Sequence, residues 1–124
     1  MSIVRIFKIK AFHRWAKSES VTDKMLKNAV IEIAKGLVEA NLGAGLLKKR
    51  IARFGEGKRG GYRTFVGYRE DERSVFFFGF PKSDEDDIKD DLLEKLKQMS
   101  DFYLSFSNEK IEQYVKSGDL IEVK

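Results

Sequence analysis

The sequence predicts an α+β fold: a small, mostly antiparallel sheet packed against two N-terminal helices, with further helices added toward the C-terminus. Three observations carry this. Residues 25–38 repeat apolar side chains every four positions in two adjacent rows, the pattern of an amphipathic helix. Residues 46–80 hold three runs of strand character, the last of them the nearly all-aromatic VFFFGF at 75–80. Beyond Pro81 the chain turns acidic and regains helical periodicity.

Taken in order, Ile3–Ile9 alternates apolar residues with Arg5 and Lys8, which predicts a short edge strand. A helical turn is expected over Phe12–Lys17. Thr22 is placed to cap the next helix, with Asp23 favourable in its first turn. Its two apolar rows are Met25, Ala29, Ile33, Leu37 and Leu26, Val30, Ala34, Val38, and Asn41-Leu-Gly43 supplies the stop. Leu46–Arg53 reads as a strand, GEGKRGG at 55–61 as a flexible connection, and Tyr62–Arg69 as a second strand. Glu70–Glu72 makes a tight turn into a third strand, Arg73–Phe80, which is apolar on both faces and therefore expected to be central. Ser83 is expected to cap a helix whose first turn is Asp84–Asp87, and a last helix over Asn108–Lys116 stops at Gly118 before the apolar end Leu120–Val123.

A chain of 124 residues with 42% hydrophobic and 35% charged residues is expected to form one globular domain, 1–124, with about residues 101–124 as a helical extension. The absence of cysteine excludes disulfides and thiolate metal sites, and a single histidine excludes a two-imidazole acid–base pair within the chain. No apolar run approaches the ~18–20 residues a bilayer span requires. MSIVRIFKIKAFHRW is too charged for the apolar region of a signal peptide, so the cytoplasm is the expected compartment.

The net charge of +4 conceals a division. Residues 48–63, KKRIARFGEGKRGGYR, hold seven Lys or Arg and one Glu, whereas residues 84–101 hold eight acids and three Lys. A localised basic site fits this better than a uniformly basic coat. On an extended Leu46–Arg53, alternation places Lys48 and Arg50 on one face and Leu47, Lys49 and Ile51 on the other. Arg63 joins the Lys48/Arg50 face if the register allows, and Lys82 completes four cations around one concavity. Such a cluster stabilises the extra negative charge of a pentavalent phosphorane. The competing explanation is that these are solvated charges that keep an edge strand from aggregating.

The order strand, two helices, KKRIAR, KRGGYRTFVGY and FFFGFPKS resembles the RelE/HigB-type toxins of type II toxin–antitoxin systems. The likeness covers roughly residues 5–100 and is densest from Leu46 to Ser83. It implies a RelE-like fold and a metal-independent, ribosome-dependent mRNA endoribonuclease needing no cofactor. The RNA's own 2′-hydroxyl would attack the adjacent phosphate, leaving the enzyme to orient, move protons and stabilise charge. By position the resemblance implies Lys48 as general base, Arg50 as phosphate ligand, Arg63 as transition-state stabiliser and Lys82 as the late cation. The expected substrate-binding set is Lys49, Arg53, Lys58, Arg59 and Tyr62. The implied partners are the ribosome, mRNA and a cognate antitoxin, in this branch often a helix-turn-helix protein, with no membrane.

One departure bears on the chemistry. Many active relatives carry a Tyr or a His-containing motif just after the aromatic strand, and here that region reads SDEDDIKDD. The general acid is therefore unassigned, and no motif brings Tyr62, Tyr68 or Tyr103 to the site. Two alternatives stay open: a non-catalytic nucleic-acid-binding domain of the same fold, and a ParE-like topoisomerase inhibitor. Elsewhere, His13 has no catalytic partners and reads as a packed or surface residue. Trp15 reads as core or antitoxin contact. Gly55, Gly57, Gly60 and Gly61 read as loop flexibility, and Asp84–Asp91 as helix N-terminal charge instead of metal ligands.

Overall fold

The structure, a computed structural model, describes residues 4–53, 57–82 and 87–124, with the backbone alone for Arg53 and residues 57–60. In chain order the elements are β1 (Arg5–Ile9), α1 (Lys10–Ser18), α2 (Asp23–Ala34), β2 (Ala40–Asn41), β3 (Leu46–Arg53), β4 (Gly57–Arg69), β5 (Arg73–Pro81), α3 (Asp90–Leu104), α4 (Asn108–Ser117) and β6 (Leu120–Glu122). The strands form one sheet in the order β2-β3-β4-β5-β1-β6. Every neighbouring pair is antiparallel except β1 with β5, where Arg5 to Lys8 run parallel to Arg73 to Phe76.

Helices cover both faces of this sheet. Phe12 and Ala16 of α1, with Leu26, Ala29, Val30 and Ile33 of α2, pack against Ile6, Leu47, Ile51, Tyr62, Val66 and Phe76. On the other face Leu96 of α3 and Ile111 of α4 meet Phe7, Leu46, Phe65, Val75, Phe77 and Phe80. The antiparallel sheet and the two N-terminal helices stand as expected, and β5 is central and covered on each side. The apolar end Leu120–Glu122 becomes a strand, β6, hydrogen-bonded to β1.

Other expectations are corrected. β1 is not an edge strand, because β5 and β6 flank it and its middle residues are buried. Its alternating charge is tolerated because the buried Lys8 ammonium lies 3.0 Å from the Asp23 carboxylate at the start of α2. Thr22 does cap α2, its hydroxyl accepting from the Met25 N–H at 3.3 Å. The helix nevertheless ends at Ala34, well before Asn41-Leu-Gly43. Gly36 takes φ +84° there, its N–H donating to Ile33 O and that of Leu37 to Glu32 O, a Schellman closure that leaves Leu37 exposed.

The expected connection at 55–61 is also shorter than read, since β4 already begins at Gly57. Gly61 serves strand pairing: a Cβ there would stand 2.0 Å from the Ile51 carbonyl oxygen. Helix α3 starts at Asp90 behind Lys89, with Asp90 and Asp91 in its first turn. Ser83–Asp86 lie outside the described residues, and Asp87 precedes the helix, its carboxylate accepting from the Ile88 N–H at 2.9 Å. The last helix behaves as read, capped by Ser107 and closed by Gly118 at φ +86°.

Two arginines tie the C-terminal half down. Arg5 on β1 makes a two-pronged pair with Glu122 of β6, both contacts 2.9 Å, and reaches Glu112 of α4 at 2.6 Å. Arg73, buried at the start of β5, donates to the carbonyls of Tyr103 and Phe106 and to the Asn108 side chain, satisfying the end of α3 and the approach to α4 together.

Candidate functional site

The cations meet on the α3/α4 face of the sheet, at the end that α3 leaves uncovered. Alternation along β3 sends Leu46, Lys48 and Arg50 to this face and Leu47, Lys49 and Ile51 to the other. The β3/β4 register sets Lys48 opposite Phe65 and Arg50 directly opposite Arg63, and β5 brings Phe80 opposite Arg63 on the far side. The Lys82 N–H donates to Gly61 O at 3.0 Å, extending the ladder so that Lys82 takes the register position two beyond Phe80. Phe65, Phe78 and Phe80, with ring centroids 6.1–6.3 Å apart, form an aromatic floor beside these cations.

A bulge delivers Lys82 to this face. Phe65 pairs with Phe78 but Val66 pairs with Phe76, so Phe77 is an extra residue in β5. Val75 and Phe77 already point toward α3 and α4. After the slip Phe78 and Phe80 do so as well, and the register position of Lys82 follows theirs. Gly79 is thereby turned to the opposite face, under the Trp15 ring.

Like charges face one another where the two strands meet, with the Glu39 carboxylate accepting from the Arg50 backbone N–H. Arg50 and Arg63 are both half-buried, and like charges directly opposite one another oppose strand pairing. Their Nε groups are buried and find no acceptor among the described residues. Lys48 pairs with the Asp87 carboxylate, Nζ lying 3.2 Å from Oδ2. The Ile88 backbone N–H holds the Asp87 carboxyl below its usual range, with the charges of Lys48 and Arg63 adding to the effect and burial opposing it. Two fixed guanidinium groups whose Nε–H donors have no acceptor among the described residues are complementary to an oxyanion.

Not every predicted residue joins the cluster. Lys49 is 1% exposed on the opposite face, its ammonium 2.6 Å from Glu32 and 2.8 Å from the Leu37 carbonyl. Tyr62 is buried there too, edge-on to Trp15, and its hydroxyl donates to Glu19 O at 3.0 Å. Strand alternation keeps both out of the cation cluster: a residue beside Lys48 or Arg63 in sequence points away from them in space. The side chains of Arg53, Lys58 and Arg59 lie outside the described residues. Tyr68 packs in the α1/α2 layer and Tyr103 among Phe77, Phe102, Phe106 and Tyr114, so neither tyrosine is at the cations. Trp15 is a core residue, against Phe12 and Tyr62. Asp87 is the member that sequence reasoning missed, because its acidic run reads as the first turn of a helix.

Fold and site together define a small α+β protein that concentrates fixed positive charge at one end of a helix-covered sheet. Comparison with protein families then places it: the chain belongs to the RelE toxin family. Residues 4–123 match the family described as the RelE toxin of the RelE/RelB toxin–antitoxin system, a match that includes α3, α4 and β6. Among curated proteins none matches the chain. Toxins of this family pair with an antitoxin, and this chain is a toxin of such a system. Among the described residues no helix is long and apolar enough to cross a membrane.

Proposed function

We propose that the protein is a metal-independent endoribonuclease that cleaves mRNA on the ribosome in the cytoplasm, the whole chain acting as one toxin domain. The observation that carries this reading is the cross-strand Arg50/Arg63 pair, with buried Nε groups that have no acceptor among the described residues, flanked by Lys48. A phosphodiester threaded along this face would supply acceptors to both guanidinium groups. Lys48, once it has given up a proton and stands as the neutral amine, takes the proton of the 2′-hydroxyl as its oxygen attacks phosphorus. Arg63 and Arg50 hold the non-bridging oxygens as charge accumulates, and Lys82 binds a neighbouring phosphate. The P–O5′ bond breaks and the departing oxygen takes a proton from water, leaving a 2′,3′-cyclic phosphate and a 5′-hydroxyl. The cognate antitoxin, a helix-turn-helix protein in this reading, silences the toxin by covering or distorting the same face.

The test is induced expression of wild type, Lys48→Ala, Arg63→Ala and the double variant, followed by primer extension on a reporter mRNA. The expected result is growth arrest with codon-phased cuts, reduced about 10²–10³-fold by either single change. Arrest without cuts would redirect attention to a topoisomerase or another target. One observation favours a second reading: none of Tyr62, Tyr68 and Tyr103 stands at the cations, as a domain that binds nucleic acid without cutting it would allow. Binding of RNA without arrest or cuts would select that reading.

A further inference from the structure

Among the ion pairs, Lys48–Asp87 differs from the rest in where it sits. The Arg5–Glu122 pair locks two strands together with two-pronged geometry, and Lys49–Glu32 anchors α2 to the sheet from a fully buried ammonium. Asp87 joins no two elements of the core. It lies on the connection from β5 to α3, its side chain is 63% exposed, and it accepts from the neighbouring Ile88 N–H. Exposed pairs of this kind add little stability. The carboxylate nevertheless sits beside the two guanidinium groups whose Nε–H donors have no acceptor among the described residues: it lies 3.2 Å from Lys48, within the field of Arg63.

Carboxylate and phosphate are recognised by the same geometry, oxygen acceptors turned toward ammonium and guanidinium N–H groups. Two anions cannot share Lys48 without repelling one another, so one must leave. We propose that the Asp87 carboxylate is an internal occupant of the phosphate subsite between Lys48 and Arg63, and that an incoming substrate phosphate binds by displacing it. This rests on the proposed RNA-binding role of the face and adds a selection step to it. A ligand with one weak negative charge gains nothing by exchanging with Asp87. A polyphosphate or nucleic-acid backbone fills Lys48 and both guanidinium groups together and wins. Because Asp87 is exposed and anchored locally, it can swing to solvent without disturbing the core.

Inorganic pyrophosphate is the probe, titrated calorimetrically into the full-length protein at low salt. Asp87→Asn is expected to bind it about tenfold tighter than wild type. Asp87→Glu should stay close to wild type. Asp101→Asn, the same change of charge on the C-terminal half of α3, should gain less than about twofold, since a remote exposed charge is screened. Adding Lys48→Ala to Asp87→Asn should abolish the gain, because the two effects share one partner. The proposal is overturned if Asp87→Asn binds no tighter, if Asp101→Asn gains as much, or if no variant binds pyrophosphate. Primer extension separates the two ideas: tighter pyrophosphate binding by Asp87→Asn with no mRNA cuts from wild type would keep Asp87 as occupant and remove the nuclease.

Discussion

Lys48 and Lys49 are neighbours in sequence with opposite surroundings, and strand alternation is the whole cause. Lys48 faces the cation cluster, whereas Lys49 sits under α2, held by Glu32 and the Leu37 carbonyl. The two substitutions should therefore separate binding from stability. Lys49→Ala is expected to destabilise the fold by about 3 kcal/mol, read as a lower urea midpoint, because it strips a buried pair of one partner. Its effect on pyrophosphate affinity should be small. Lys48→Ala should show the reverse, with stability nearly unchanged and anion affinity reduced. Equal destabilisation by both would mean that the strand faces are wrongly assigned. The sequence already carried the split of Lys48 and Arg50 from Leu47, Lys49 and Ile51. Grouping Lys49 and Tyr62 with the substrate-binding cations followed charge density and proximity in sequence and ignored that same alternation.

At the scale of elements, the amphipathic helix, the cationic strand and the aromatic strand were all legible, because each is a local pattern. What was not legible depended on contacts between elements. Gly36 ends α2 early because the Schellman closure is completed there, although the apolar rows continue to Val38. The interior position of β1 depends on residues 73–76 and 120–122, far away along the chain. The bulge at Phe77 cannot be read from VFFFGF, yet without it strict alternation would send Lys82 to the wrong face. Gly79 reports on the same slip. A Cβ at this position would lie 2.6 Å from the Trp15 ring, so Gly79→Ala should force α1 away from β5. The expected cost is about 2 kcal/mol, read as a lower denaturation midpoint. Trp15→Leu in the same chain should restore part of it by opening space. An unchanged midpoint for Gly79→Ala would contradict the packing of α1 on β5.

For the whole molecule, acid sensitivity should trace to a few carboxylates. The side-chain hydrogen bonds from Arg5 hold Glu122 below its ordinary value of 4.5. A carboxyl depressed in the folded state binds its proton more weakly there than in the unfolded chain. Its contribution is thus complete above 4.5 and drains as pH falls through that value toward the folded one. Wild type should lose thermal stability as pH drops from about 5 to 3, and Glu122→Gln should start lower at neutral pH and change less across that window. A parallel pair of pH curves would show that the Arg5 clamp has no such part. Asp87 is also depressed, but its exposure leaves its neutralisation with little effect on stability.

The position of β1 has a consequence for how the protein is made. This strand is synthesised before both of its hydrogen-bonding partners, which lie at 73–76 and 120–122. It must wait, with Phe7 and Ile6 unburied, until residues 120–122 have been synthesised. The sheet that supports the cationic face is therefore complete only after β6 has been made. For a protein proposed to destroy messages on ribosomes, that order of assembly keeps the whole sheet from forming until long after β1 has been made.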